Sequence, residues 1–236
     1  MGLLALTACT SVMIGPYSFT YTPIQTDEFE IAVWQDLIDT SGPVHIYIEG
    51  DGYAFNSHGQ PTGNPTPRKH LVRNMAARDS ASNVVYMARP CQYIKSPNCD
   101  VSDWTDGRFS ETIINSMYTA IKTVAKNRPI ILIGHSGGAM VSGLLIQKYP
   151  DLNVQKWVTV AGVLNHKDWT EYFGDAPLSK SLNMNKLPQI SQVHYIADGD
   201  AVVPNELTRR WVNESDIVVI KNAKHDNFHG LKIDFK

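Results

Sequence analysis

One stretch limits the folds open to this chain more than any other: PIILIGHSGGAMVSGLLIQKYP, residues 129–150. An apolar, β-rich run is followed by Gly134-His135-Ser136-Gly137-Gly138, a G-x-S-x-G pattern. Next comes a helix-forming run closed by Pro150. A buried strand that turns at once into a helix needs small residues around the turn. The serine between them then projects its hydroxyl above the sheet, over the exposed N–H groups of the helix N-terminus. Ser136 is therefore the candidate nucleophile, against the plainer reading of an inert serine in a glycine-rich turn. The stretch is not a phosphate loop, because no Gly-Lys-Ser/Thr follows.

The rest of the chain alternates strands and helices. Strands are expected at residues 28–36, 44–50, 83–90, 129–134, 154–162, 192–197 and 216–223. Helices are expected at 67–80, 110–127, 138–150 and 205–214. The helix at 110–127 is the clearest, with Ile114, Met117, Ile121 and Val124 at spacings of three and four. Most of the later strands are continuous apolar runs, as buried parallel strands are. The expected class is α/β: a mostly parallel central sheet with helices on both faces. Ligands in such sheets bind beyond the carboxyl ends of the strands, so the chemistry belongs in the turns that follow them. Residues 162–189 form a long connection after the strand that follows the Ser136 helix. They carry Trp169, Tyr172 and Phe173 and are expected to form a small cap over the site or a surface excursion.

A serine alcohol needs a base, and the base needs an orienting group. Downstream of Ser136, Asp200 follows an expected strand and precedes Val203-Pro204 and a helix. It is the candidate acid, with Asp198 and Asp168 as competitors. His225 lies just past the last strand and is the candidate base; His229 stands four residues on. The His225/His229 pair also reads as HxxxH, but it lacks the glutamate of HExxH and a third ligand, so no metal is expected. No organic cofactor is implied.

The N–H of Gly137 is one expected donor to a substrate oxyanion. The other should come from the turn Glu49-Gly50-Asp51-Gly52, through Asp51 or Gly52. Two acids beside such a site are unfavourable unless neutralised. Arg89, at the end of the next strand, is expected to pair with Glu49 or Asp51. Its alternative role is binding an anionic group on a substrate. Tyr53, Arg89, His135, Asn165, His166 and Trp169 are the candidate pocket residues.

Residues 1–9 are apolar and rich in small residues, and they end at Cys9. Leu6-Thr7-Ala8-Cys9 resembles the lipobox of bacterial lipoproteins, although the segment lacks a charged n-region. The resemblance implies acylation at Cys9 after the preceding peptide is removed, and a lipid-anchored protein of the bacterial cell envelope, facing the periplasm or the exterior. Residues 10–236 would then be a single domain. Cys91 and Cys99 share one polar, proline-containing loop, and an oxidising compartment would join them as a disulfide. The net charge is -2 with no basic cluster, so nucleic acid is not an expected partner. No apolar run approaches the roughly 20 residues of a membrane-spanning helix.

Strand-GHSGG-helix, Asp200 before Val203-Pro204, and then His225 together resemble the α/β-hydrolase superfamily, over roughly residue 29 to the C-terminus. The stretches IYIEGDG, PTP, ARPCQY, WTDGRFS and TVAGVLNH are similar to those of exported bacterial α/β hydrolases. The resemblance implies a serine hydrolase that cleaves a small-molecule ester, thioester or amide through an acyl-enzyme. The alternatives are a serine peptidase and a non-catalytic envelope binding protein on the same fold. The acidic EGDG turn departs from the His-Gly-Gly of many relatives, as does Ala197 from the glycine that many carry before the acid.

Overall fold

The computed structural model describes residues 12–14 and 17–235. Cys9 and the lipobox pattern lie outside the described residues. The strands are β1 (Val12–Ile14), β2 (Tyr17–Tyr21), β3 (Ile24–Gln25), β4 (Glu30–Ile31), β5 (Val33–Leu37), β6 (Val44–Ile48), β7 (Asn83–Met87), β8 (Ile130–His135), β9 (Val154–Val160), β10 (Ser191–Ala197) and β11 (Ile217–Ile220). The helices are α1 (Leu71–Ala76), α2 (Glu111–Ala125), α3 (Gly137–Lys148), α4 (His166–Phe173) and α5 (Asn205–Arg209).

The main sheet has the order β1-β2-β5-β7-β6-β8-β9-β10-β11, and β3 and β4 form a separate pair. From β7 to β11 every neighbouring pair is parallel, while β1, β2 and β5 run antiparallel to their neighbours. The strand order reverses direction about β6 and β8. That places a crevice at their carboxyl ends, where the Glu49-Gly50-Asp51-Gly52 and Ser136 turns emerge side by side.

Side chains alternate between two apolar layers. Val44, Ile46 and Ile48 of β6 pack with Leu132 and Trp157 beneath α2 and α3. Tyr47, Tyr86, Ile133 and Val158 face the other way, against Val72 and Met75 of α1 and against Phe228. Burial on both faces is the reason these strands are apolar throughout. Ser110 caps α2 by accepting from the N–H of Ile113. The face expected from the spacing of Ile114, Met117, Ile121 and Val124 is the buried one.

Several expectations shift. The single strand expected at 28–36 is divided at Ala32 into β4 and β5, so only its second half joins the main sheet. The helices α1 and α5 are shorter than expected, and β1 to β3 were not foreseen. The connection 162–189 contains a helix, α4. Asn165 caps it by accepting from the N–H groups of Lys167 and Asp168, and Gly174 closes it. Cys91 and Cys99 are joined as a disulfide with their Cα atoms 5.8 Å apart.

Candidate active site

Ser136 follows β8 directly and adopts φ 50°, ψ -122°. A non-glycine residue in this region costs on the order of 1–3 kcal/mol and persists only where its surroundings enforce it. Two glycines enforce it here by allowing close approach. A Cβ on Gly134 would sit on the carbonyl oxygen of Gly138, and one on Gly138 would lie 2.5 Å from the carbonyl oxygen of Ile48. The turn therefore holds the start of α3 hard against the ends of β6 and β8.

The structure brings Ser136, His225 and Asp200 together. His225 Nε2 lies 3.0 Å from Ser136 Oγ. His225 Nδ1 lies 3.0 and 3.2 Å from the two carboxylate oxygens of Asp200. A carboxylate only accepts, so Nδ1 carries the proton and Nε2 is free to accept from the serine hydroxyl. Asp200 in turn accepts from the N–H groups of Val202 and Val203, each at 2.8 Å, which fixes its rotamer. The competitors fall elsewhere. Asp168 accepts from Trp211 Nε1 at 2.7 Å, and His229 Nε2 donates to the Asn222 carbonyl at 2.6 Å. His135 donates from Nε2 to the carbonyl oxygen of His225 at 3.0 Å, tying the serine turn to the histidine loop. Burial, and then the neighbouring His225, hold His135 down to about 4, so it is neutral at physiological pH.

The second turn is built around buried charge. Gly50 N–H donates to Glu49 Oε1 at 3.0 Å, which takes it out of use. Among the described residues the N–H groups of Gly137, Asp51 and Gly52 donate to no protein acceptor. Asp51 accepts from Arg89 Nη1, and from Arg108 Nη1 at 2.6 Å. Burial alone would raise its pKa, but the two guanidinium groups outweigh burial and hold it at about 2. Of the two partners expected for Arg89, Asp51 is the one it meets. Glu49 instead accepts from Tyr86 Oη at 2.7 Å, and burial pushes its carboxyl up to about 7.

That shift has a sign that can be measured. Between the ordinary carboxyl pKa of 4.5 and about 7, the folded protein keeps a proton at Glu49 that the unfolded chain has lost. Stability therefore falls as pH rises through that window, by roughly 3 kcal/mol from this group. Glu49→Gln is expected to flatten the decline, so that its thermal midpoint relative to wild type improves from pH 5 to pH 8. Equal pH slopes for the two proteins would show that Glu49 is not the group responsible.

A cavity of about 470 Å³ opens over Ser136. Of the candidate pocket residues, Tyr53, His135, His166 and Trp169 line it, together with Phe55, Leu71, Phe109, Val163, Leu178 and Val202. Two candidate pocket residues are corrected. Arg89 is 4% exposed and spends its guanidinium on Asp51 and the carbonyl of Arg108, behind the cavity wall. Asn165 is turned into its own helix cap and toward the Met184 carbonyl. From the connection 162–189, Val163, His166, Trp169 and Leu178 reach the cavity. Trp169 Nε1 donates to the Val202 carbonyl at 2.7 Å, linking α4 to the Asp200 loop. Burial lowers the pKa of His166, whose ring stacks on Phe109 at 6.0 Å.

Sequence reasoning missed Arg108, Phe109 and the pair formed by Lys69 Nζ and Asp226 Oδ2 at 2.7 Å. Arg108 was visible only within WTDGRFS, where one arginine in a polar loop looks the same as a solvated one. His135, His225 and Asp226 each bring one possible metal-ligand atom within 4.8 Å of the others. His225 is already engaged with Ser136 and Asp200, and Asp226 with Lys69.

No family model and no curated protein sequence matches this chain. Solved structures do. An α/β serine hydrolase homologue from Coxiella burnetii is 19% identical over 93% of both chains, with a TM-score of 0.59. Est1E from Butyrivibrio proteoclasticus is 12% identical over 89% of this chain and 91% of that one, with a TM-score of 0.61. An α/β serine hydrolase without a lid from Xanthomonas campestris is 16% identical over 92% of this chain and 89% of that one, with a TM-score of 0.54. The likeness is one of architecture: the chain has the α/β-hydrolase fold.

Proposed function

We propose that the protein is a serine hydrolase that cleaves a carboxylic ester, or a thioester or amide, through an acyl-enzyme. The observation that carries this is the unbroken hydrogen-bonded line from Ser136 through His225 to Asp200 at the floor of a cavity. In this reading His225 takes the proton of Ser136 as its oxygen attacks the acyl carbon. The oxyanion that forms is met by the N–H groups of Gly137 and Asp51. His225 returns the proton to the departing alcohol, thiol or amine. Water, activated by the same histidine, then releases the acid and frees the serine. Asp200 holds the ring in the tautomer that can accept, and stabilises its charged form. The apolar walls suit an acyl chain better than a peptide, whose backbone needs polar partners along its length.

Export and lipid attachment at Cys9 belong to the same proposal. They are supported by the Leu6-Thr7-Ala8-Cys9 pattern and by the Cys91–Cys99 disulfide, since such bonds persist in oxidising compartments. Cells fed labelled palmitate are expected to mark the wild-type protein and not Cys9→Ala; equal incorporation would exclude this anchor.

The test of the catalytic reading is a fluorophosphonate probe, which reacts with an activated serine. Covalent labelling at Ser136 is expected, together with turnover of 4-nitrophenyl esters that varies with acyl length. A folded protein that takes up no probe and turns over no ester overturns the reading and favours a binding protein on the same fold.

A further inference from the structure

The cavity wall is apolar, yet it carries two guanidinium groups: that of Arg68, which has no part in the hydrolytic machinery, and that of Arg108, which ties only part of its donors to Asp51. Both rest on aromatic rings of one short segment, 53–55. Arg68 lies with its guanidinium carbon 3.4 Å from the centroid of Tyr53, and that of Arg108 lies 5.4 Å from the centroid of Phe55. Both arginines line the cavity that contains Ser136.

Their charge is not cancelled there. The acids on the same wall are Glu49, Asp51 and Asp226. Asp226 is matched by Lys69, and Glu49 is held by Tyr86 and the Gly50 N–H, with burial favouring its neutral form. Asp51 is one carboxylate shared between Arg89 and Arg108, so that cluster retains a positive charge. Arg68 is exposed and, among the described residues, forms no ion pair. Arg108 is buried; it spends Nε on the Thr105 carbonyl at 2.6 Å and Nη1 on Asp51, and its Nη2 has no protein acceptor. Nη2 is not fully enclosed, and Arg108 lines the cavity. Aromatic rings hold a guanidinium in place without neutralising it. A guanidinium with unspent donors beside an apolar surface is suited to a planar oxyanion.

We infer that Arg68 and Arg108 form an anion subsite, and that the preferred substrates are amphiphilic esters carrying a carboxylate or phosphate group in addition to the scissile bond. This rests on reading the cavity as the substrate site of a serine hydrolase. The anionic group that was one expectation for Arg89 falls instead to Arg108, which shares the Asp51 clamp but faces the cavity.

The experiment compares 4-nitrophenyl butyrate with mono-4-nitrophenyl glutarate, in wild type and in Arg68→Gln, an exposed position where folding is not at stake. The wild-type kcat/KM is expected to favour the charged ester by about tenfold, a preference that Arg68→Gln removes and added salt weakens. A parallel measurement needs no turnover. Calorimetry on Ser136→Ala protein is expected to show tighter binding of monomethyl glutarate than of methyl butyrate. Binding of the charged ester by a protein that hydrolyses nothing would uphold the subsite while removing the hydrolase reading. Hydrolysis with no preference for the charged ester, or with a preference that survives Arg68→Gln, overturns the subsite alone.

Discussion

Ser136→Ala is expected to abolish fluorophosphonate labelling and to lower kcat on 4-nitrophenyl esters by about 10⁴- to 10⁶-fold, with His225→Ala close behind. The two effects should not add. Once the serine is gone the histidine has nothing to activate, so the double variant should match the worse of the single ones. Stability reports on the backbone at the same position. Ser136 occupies φ 50°, and the backbone there is held by close contacts of Gly134 and Gly138 with the ends of the neighbouring strands. A Ser136→Gly variant relieves the strain at that residue and should unfold at a higher temperature than Ser136→Ala. Lost activity in both variants, with glycine the more stable of the two, separates a strained functional residue from one that merely packs well. Retention of more than a hundredth of wild-type activity by Ser136→Ala would place the nucleophile elsewhere.

Arg89→Ala is expected to have the largest effect on stability. The guanidinium is buried and binds Asp51, which Arg108 holds from the other side. Removing one member of such a buried cluster leaves charge without its full set of partners and typically costs about 3–5 kcal/mol. That is a large fraction of the roughly 5–15 kcal/mol by which a domain is usually stable. The urea midpoint should fall accordingly. Activity should fall as well, by about 10²- to 10³-fold at temperatures where the variant remains folded, because in the proposed reaction Asp51 is one of the two backbone donors to the oxyanion. Arg89→Lys keeps the charge but reaches Asp51 without the planar fork, so it should recover part of the stability and less of the rate. A urea midpoint unchanged in Arg89→Ala would mean that Arg108 alone suffices to hold the turn.

The two sets of residues differ in how they could be found. Ser136, Asp200 and His225 were legible because each follows a strand whose pattern is itself legible: β8 is an apolar run that ends at the serine turn, and β10 and β11 end a few residues before the aspartate and the histidine. In a parallel sheet those positions must converge at one edge, whatever the connections between them do. α2 was legible because its periodicity reports the face that the sheet covers, and α3 because a helix-forming run closed by Pro150 follows the Ser136 turn. By contrast, β4 and β5 looked like one strand because the apolar run 31–34 spans Ala32, and α4, although Trp169, Tyr172 and Phe173 fall at spacings of three and four, was read only as part of a long connection.

Residue order and local pattern by themselves therefore determined the α/β class, the strand-turn-helix at Ser136 and the order serine, acid, histidine. They did so because these features follow from interactions between residues close in sequence and from the geometry common to all parallel sheets. The tertiary structure alone decided that Arg89 meets Asp51 rather than Glu49, that Arg108 joins it from 57 residues away, and that Lys69 reaches Asp226 across 157 residues. Long polar side chains have no periodicity, and their partners are chosen by where loops come to rest. The proton held by Glu49 belongs to the same class: burial sets it, and burial is a property of the folded chain rather than of any residue in it.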